Sequence, residues 1–281
     1  MTRGTEPSLI AEEVRQYDYD RWLCSLFAPF EIREHLFAFL AFNIELSRIR
    51  ETVSEPMLGD IRLQWWREAL SGLERRSPKS HPVIEALDFA NRQKPIDFSL
   101  MQSMVDVRAK DLDPTPISSI DELMAYADGT GGSLHRLMAS LLELESSEGL
   151  DAAGQAGRAF ALAGIVRAIP FHFRHDLVLI PIELMEEVSV TRNTVFQEEH
   201  RKSFFRIVER MTERAGMELQ KARKQARAAG PAVKPVSLIN GITGLYLRRL
   251  KAAAYDPAHR KLQAGRLAKI ASLFVANLSG R

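Results

Sequence analysis

The sequence predicts an all-α fold, and three observations predict it. Apolar residues recur at spacings of three and four in nearly every segment, the period of a helix with one buried face. Strand-like alternation is confined to VLIPI at 178–182, where Pro181 argues for an extended loop instead. Proline- and glycine-bearing breaks fall between the periodic stretches, not inside them.

Taken in order, the first helix is predicted over 8–28 and stops before Pro29. The second spans 31–54. It ends at Ser54-Glu55-Pro56, because a residue preceding proline avoids helical geometry. Helices over 60–75 and 82–93 flank Ser77-Pro78, and one over 97–109 precedes Asp113-Pro114-Thr115-Pro116. Ser119, three residues before Glu122, reads as a capping box that opens 119–128. Helices over 133–145 and 151–169 follow, and the second is expected to bend or end at Pro170. The remaining helices are 198–229, closed by Gly230-Pro231, then 236–253, and an amphipathic C-terminal helix within 263–281. One domain over 1–281 is expected, with residues 1–8 flexible; no solenoid period or low-complexity tract divides it.

Composition narrows the functional classes. The chain has 281 residues, 46% hydrophobic and 26% charged, which is ordinary globular usage. No apolar run approaches the ~18 residues of a membrane span. MTRGTEPSLIAEE reads as neither a secretory signal nor a transit peptide. The lone Cys24 is expected to be a small core residue in a reducing compartment. Residues 201–281 carry 18 Lys and Arg against 4 Asp and Glu, whereas the first 200 carry 20 against 32. A basic half of this kind fits anionic lipid or an acidic protein, and a solvated basic face is the plain alternative. Without zinc-finger spacing or an aromatic-interleaved basic motif, nucleic acid is not expected as a partner.

The candidate chemistry begins with Leu36, Leu40, Asn43, Ser47 and Glu51, which form one row along a helix. A row that turns from leucine to polar residues either leaves the core or lines a pocket. Arg167 emerges from small residues at Ala163 and Gly164, as a snorkelling surface cation or as a cation in a cavity. Asp106 and Asp111 lie near the end of a helix. The glycines of Gly129-Thr130-Gly131-Gly132 lack the Gly-Lys-Ser/Thr ending of a phosphate loop, so a close helix crossing explains them better. Trp65 and Trp66 are expected to serve two different packing contacts. The scattered histidines give no zinc spacing, and no nucleophile elbow is present.

RWLCSLFAPFEIREHLFAFLAFNIELSRIRE, IRLQWWREAL, VRAKDLDP…LMAYADGTGGSL, LAGIVRAIPFHF…LIPIEL and LYLRRLKAAAYDP, in that order over about 17–260, resemble the squalene/phytoene synthase family. The resemblance implies an isoprenoid-synthase helical bundle around a central pocket. It also implies head-to-head joining of prenyl diphosphates on magnesium held by two aspartate-rich clusters. The first cluster falls at Ser47, Arg48 and Glu51, the second at Ala168, Phe171 and His172, with Arg167 in its conserved-arginine position; only Glu51 is acidic. A tyrosine of the family falls at Gly129. Ser47, Arg48, Glu51, Arg167, Ala168 and His172 are therefore the expected wall of a degenerate pocket. It could hold an anion without metal through Arg48, Arg167 and His172, or be filled by side chains.

IVRAIPFHFRHDLVLIPIEL is similar to a non-synthase branch of that family that includes a complex I assembly factor. That similarity implies a non-catalytic role with a protein partner in respiratory complex I, no cofactor, and a cytoplasmic site with contact at the inner membrane. The alternatives are a prenyltransferase with an altered magnesium site and a carrier of isoprenoid or other lipid.

Overall fold

In the computed structural model, residues 8–142, 144 and 146–279 are described, apart from the side chains of residues 278 and 279. The expectation of a flexible segment over 1–8 falls almost wholly outside them. Fourteen α-helices and no strand are present among the described residues, so the all-α expectation holds.

The predicted first helix is two. Asp18 closes α1 (Leu9–Tyr17) and caps α2 (Tyr19–Ser25), its carboxylate accepting from the Arg21 N–H. α3 (Phe30–Thr52) is the central element and buries Phe37 to Ile44 continuously. Pro56 occupies the first turn of α4 (Pro56–Glu74), where its missing N–H costs nothing. The helix thus starts four residues before the predicted position. Trp66 packs edge-on to Phe42 of α3 at 5.4 Å. Trp65 is only half-buried, yet it meets Trp66 at 5.0 Å, and both meet His81. The two indoles therefore share one cluster, where two separate contacts were expected.

α5 (Pro82–Gln93) packs on α3 and α6 (Phe98–Val107) on α4, and a 3₁₀ turn, Arg108–Asp111, leaves α6. α7 (Ile120–Ala127) has the Ser119 cap, but Glu122 reaches back to Ser118, not Ser119. A π-helical turn at Asp128–Gly132 joins α7 to α8 (Ser133–Leu141). It sets Gly131 against Gly157 of α9 (Ser147–Arg174). A Cβ on Gly131 would lie 2.6 Å from the Gly157 carbonyl oxygen, so these glycines do serve a helix crossing.

α9 continues through Pro170 to Arg174, where the sequence predicted a bend or an end. A proline lacks one N–H bond but allows the helix to continue when packing holds both sides. Its last turn closes with Asp176 at φ 54° and the Leu177 N–H on the His172 carbonyl. VLIPI is the expected extended loop, tied by the Ile182 N–H to the Ile117 carbonyl at 2.8 Å. It leads into α10 (Ile182–Glu187). α11 (Arg201–Ala229) ends at Gly230, φ 80°, and α12 (Lys234–Ser237), α13 (Ile239–Ala252) and α14 (Arg266–Ser279) wrap back over α2, α9 and α11. Cys24 is buried and free, and burial pushes its thiol pKa well up.

Candidate functional site

A cavity of about 410 Å³ lies between α3 and α9. The opening row of α3 explains one wall. Leu36 and Leu40 are core, Asn43 and Ser47 face the cavity, and Glu51 is exposed beyond it. The row lines a pocket and then leaves the core. Side chains leave open space between this wall and the next. Across from α3, Gly164, Arg167 and His172 form the α9 wall. The helix reaches His172 only because it runs through Pro170.

Besides Glu51, two more of the expected site residues lie off the lining. Arg48 is off the lining, its guanidinium 4.2 Å from the centre of the Tyr17 ring, beside a second hollow that also contains Trp65 and His81. Ala168 is half-buried but not on the lining. Of Arg48, Arg167 and His172, expected to converge, Arg167 and His172 line the cavity and Arg48 does not. A one-residue step along a helix turns a side chain by about 100°, enough to carry Arg48 off the face that Ser47 presents.

The sequence did not reveal the charged groups that give this cavity its character. Arg108, from the turn after α6, donates to Asp111 at 3.1 Å and to the Tyr126 hydroxyl at 2.9 Å. Tyr126 donates to Asp111 at 2.6 Å, and Asn43 stands 3.5 Å from Arg108. Burial alone would lower the Arg108 pKa, but Tyr126 and Asp111 outweigh it and raise it. Burial drives the Tyr126 pKa far up, so its proton stays on. Asp106, the other aspartate of that segment, points outward to Arg67 at 2.8 Å. Tyr126 lies three residues before Gly129, where the family's tyrosine was expected, so α7 supplies a tyrosine to the cavity after all.

At the other end, Asp20 is buried with Lys269 at 2.6 Å, the Tyr246 hydroxyl donating to it, and Arg167 at 4.0 Å. The Arg167 guanidinium lies 3.9 Å from the Tyr246 ring centre, a cation–π contact. Lys269 of the last helix therefore turns inward. Burial lowers its pKa, but the bond to Asp20 more than reverses this.

Arg21 bonds Asp18 at 2.7 Å and His135 Nε2 at 3.2 Å. An arginine only donates, so Nε2 accepts and Nδ1 carries the proton to the Val236 carbonyl, 3.1 Å away. Burial first, then Arg21, push the His135 pKa down to about 3, against the opposing Val236 bond. Unfolding restores an ordinary pKa near 6.5, so the unfolded chain binds more protons between these values. Stability contributed by this neutral histidine is full above about pH 6.5 and falls by about 1.4 kcal/mol per pH unit towards pH 3. Urea midpoints from pH 7 to 4 should drop accordingly, and His135→Gln should flatten the decline. Burial likewise holds His172 at about 4, with Asp111 opposing and Arg108 and His175 reinforcing. Its Nδ1 is buried without a hydrogen-bond partner.

Magnesium requires hard oxygen ligands, chiefly carboxylates. The positions expected to hold it present a hydroxyl bonded to the Ile44 carbonyl (Ser47), a cation (Arg48), an exposed carboxylate (Glu51), a methyl (Ala168), a phenyl ring (Phe171) and an imidazole (His172). The carboxylates that do face the cavity, Asp18 and Asp20, are engaged by Arg21 and Lys269. Among the described residues no three His, Cys, Asp or Glu side chains are grouped to hold a metal ion. This residue set does not fit the ion.

The squalene/phytoene synthase sequence profile matches residues 14–268. The chain belongs to that family. Its fold is also that of solved family structures. A ligand-bound dehydrosqualene synthase superposes with a TM-score of 0.83 at 15% identity, covering 96% of this chain and 94% of that one. A squalene synthase of Alicyclobacillus acidocaldarius gives 0.76 at 16% identity, over 89% and 94%. Among family relatives, complex I assembly factor 6 of Mus musculus is 28% identical over 94% of this chain and 79% of its own length. The phytoene synthase of Mycobacterium tuberculosis is 24% identical over 58% and 53%. The likeness to the assembly factor thus spans far more of the chain than the likeness to the synthase.

Proposed function

We propose that this squalene/phytoene synthase relative performs no prenyl transfer and acts instead in the assembly of respiratory complex I, through a protein partner. The observation that carries the reading is the chemistry of the cavity between α3 and α9. Where a synthase would need two carboxylate clusters, Ser47 and His172 stand, and the charges that remain are bound to one another. A prenyl chain entering here would strip water from Arg108, Arg167 and Asp20 without replacing it, which is costly. The cavity therefore suits a small polar or anionic group, seated by Arg167 and His172, better than an isoprenoid tail. Similarity to complex I assembly factors over most of the chain supports the choice of process.

Two measurements test this together. The purified protein, incubated with farnesyl or geranylgeranyl diphosphate and magnesium, should yield no squalene- or phytoene-type product above a no-enzyme control. Deletion of the gene in its host should lower the amount of assembled complex I on native gels, with restoration by the wild-type chain. Clear turnover would overturn the non-catalytic reading, and unchanged complex I would overturn the assembly reading.

A further inference from the structure

The last helix offers an apolar face that the domain does not cover. Leu267 and Phe274 of α14 are 83% and 54% exposed and lie two turns apart on one side of the helix. Phe27, at the end of α2, meets Phe274 at 6.3 Å, and Phe30, 77% exposed, follows three residues later at the start of α3. The Ser8 hydroxyl donates to Glu34 at 2.6 Å, which brings the start of α1, with its exposed Leu9, against the first turns of α3. The Phe27–Phe274 contact thus joins the exposed side of α14 to the corner between α2 and α3.

The helix is fixed in place while it presents this face. Leu273 and Ala276 are buried, Ser272 donates to the Gly241 carbonyl at 2.7 Å, and Lys269 holds Asp20. The face needs no detachment to reach a partner. Cations lie near both ends of α14, and Glu31 and Glu34 are exposed on the first turns of α3. Arg260, Lys261 and Arg266 are exposed just before or at the start of the helix, and Arg33 lies over Phe30 at 5.7 Å. At the other end, Arg227 and Lys234 rim a hollow of about 300 Å³ that Ala276 closes. Residues 201–281 have 18 basic against 4 acidic side chains.

Exposed leucine and phenylalanine flanked by lysine and arginine, as on α14, are the composition that settles in the interface of a bilayer. No helix of the described residues is long and apolar enough to cross a membrane. We infer that α14 and the adjoining α2–α3 corner form a docking face for an anionic lipid surface, with Leu267, Phe274 and Phe30 entering the headgroup region. An acidic protein would satisfy the cations but not the bare aromatic side chains between them. This inference does not depend on the complex I reading. Each basic side chain held near an anionic surface strengthens binding about fivefold, so the contact is salt-sensitive.

Co-sedimentation of the full chain with vesicles tests it. Pure phosphatidylcholine is compared with phosphatidylcholine containing phosphatidylglycerol, at low and high salt. The protein should pellet with the anionic vesicles at low salt and be released at high salt. The double variant Leu267→Glu/Phe274→Glu should partition at least about tenfold more weakly, with at most a small fall in melting temperature from loss of the Phe27–Phe274 contact. Arg260→Gln/Lys261→Gln should weaken binding and reduce its salt dependence. Equal pelleting with both lipids, no pelleting with either, or wild-type binding by the Leu267/Phe274 variant would overturn the proposal. The second result would assign the patch to a protein partner instead.

Discussion

Gly157→Ala is expected to lower the free energy of unfolding by about 3 kcal/mol. The new methyl would point at the Gly131 backbone, with the carbonyl carbon 2.7 Å away and the His135 Cβ at 2.9 Å. Neither neighbour can move as the tip of a flexible side chain would. Gly131 sits in the π-helical turn, and its own Cβ position is blocked by the Gly157 carbonyl and by the Ala161 methyl at 2.7 Å. The crossing of that turn with α9 therefore cannot accommodate a side chain on either helix. Alanine normally improves a helix by about 1 kcal/mol over glycine, so the sign at residue 157 is diagnostic. Gly216→Ala in α11, where nothing lies within 4 Å of the added atom, should stabilise by about that amount. Urea unfolding of both variants decides the matter. A neutral or stabilised Gly157→Ala protein would mean that the crossing is looser than described. The effect reaches the cavity as well, because Thr130 and Gly131 are part of its wall.

Much of the fold was legible because helical period and proline breaks are local signals. Pro56 and Gly230 act through their own backbone and the Ser119 hydroxyl caps a neighbour three residues on, so all three are local and were placed within a few residues. The misreadings share a cause, since tertiary contacts overrode a local rule. Asp18 divides the first helix because its side chain caps α2 and also holds Arg21. Pro170 fails to stop α9 because Ile165, Val166 and Ile169 on the approach are buried. In the site, Asn43, Ser47, Arg167 and His172 were found because their positions clash with a helical core pattern or match a family motif. Arg108, Asp111 and Tyr126 were not found together, because a buried ion pair gives no period and the tyrosine that joins it comes from a different element, α7. Asp20 and Lys269 are 249 positions apart in the chain, and only the return of α14 over α2 joins them. The signal that existed was weak: the aspartate and arginine three apart in VRAKD, with a tyrosine on the next helix.

Asp111→Ala is expected to destabilise the protein by about 3–5 kcal/mol. The substitution leaves Arg108 as an uncompensated cation, with only 13% of its side chain accessible to water, and takes away the acceptor of the Tyr126 hydroxyl. Water cannot repair either loss without entering the wall between α3 and α7. Most of the cost is the stranded charge, not the value of the pair. Arg108→Met together with Asp111→Ala should therefore recover much of what the single change loses, since a buried ion pair replaced by apolar groups is often near neutral. Asp111→Asn should fall between, because it keeps an acceptor for Tyr126 but not the charge facing Arg108. Denaturant unfolding of the wild type, Asp111→Ala, Arg108→Met and the double variant closes the cycle that gives the coupling energy of Arg108 with Asp111. A loss below about 1 kcal/mol for Asp111→Ala would show that Arg108 is solvated. In that case the cavity would hold a free cation, and the argument that its charges are internally neutralised would fail at this wall. A large coupling would place Arg108, Asp111 and Tyr126 as the brace of the wall. Any anion that enters would then be left chiefly with Arg167 and the buried, unpartnered Nδ1 of His172.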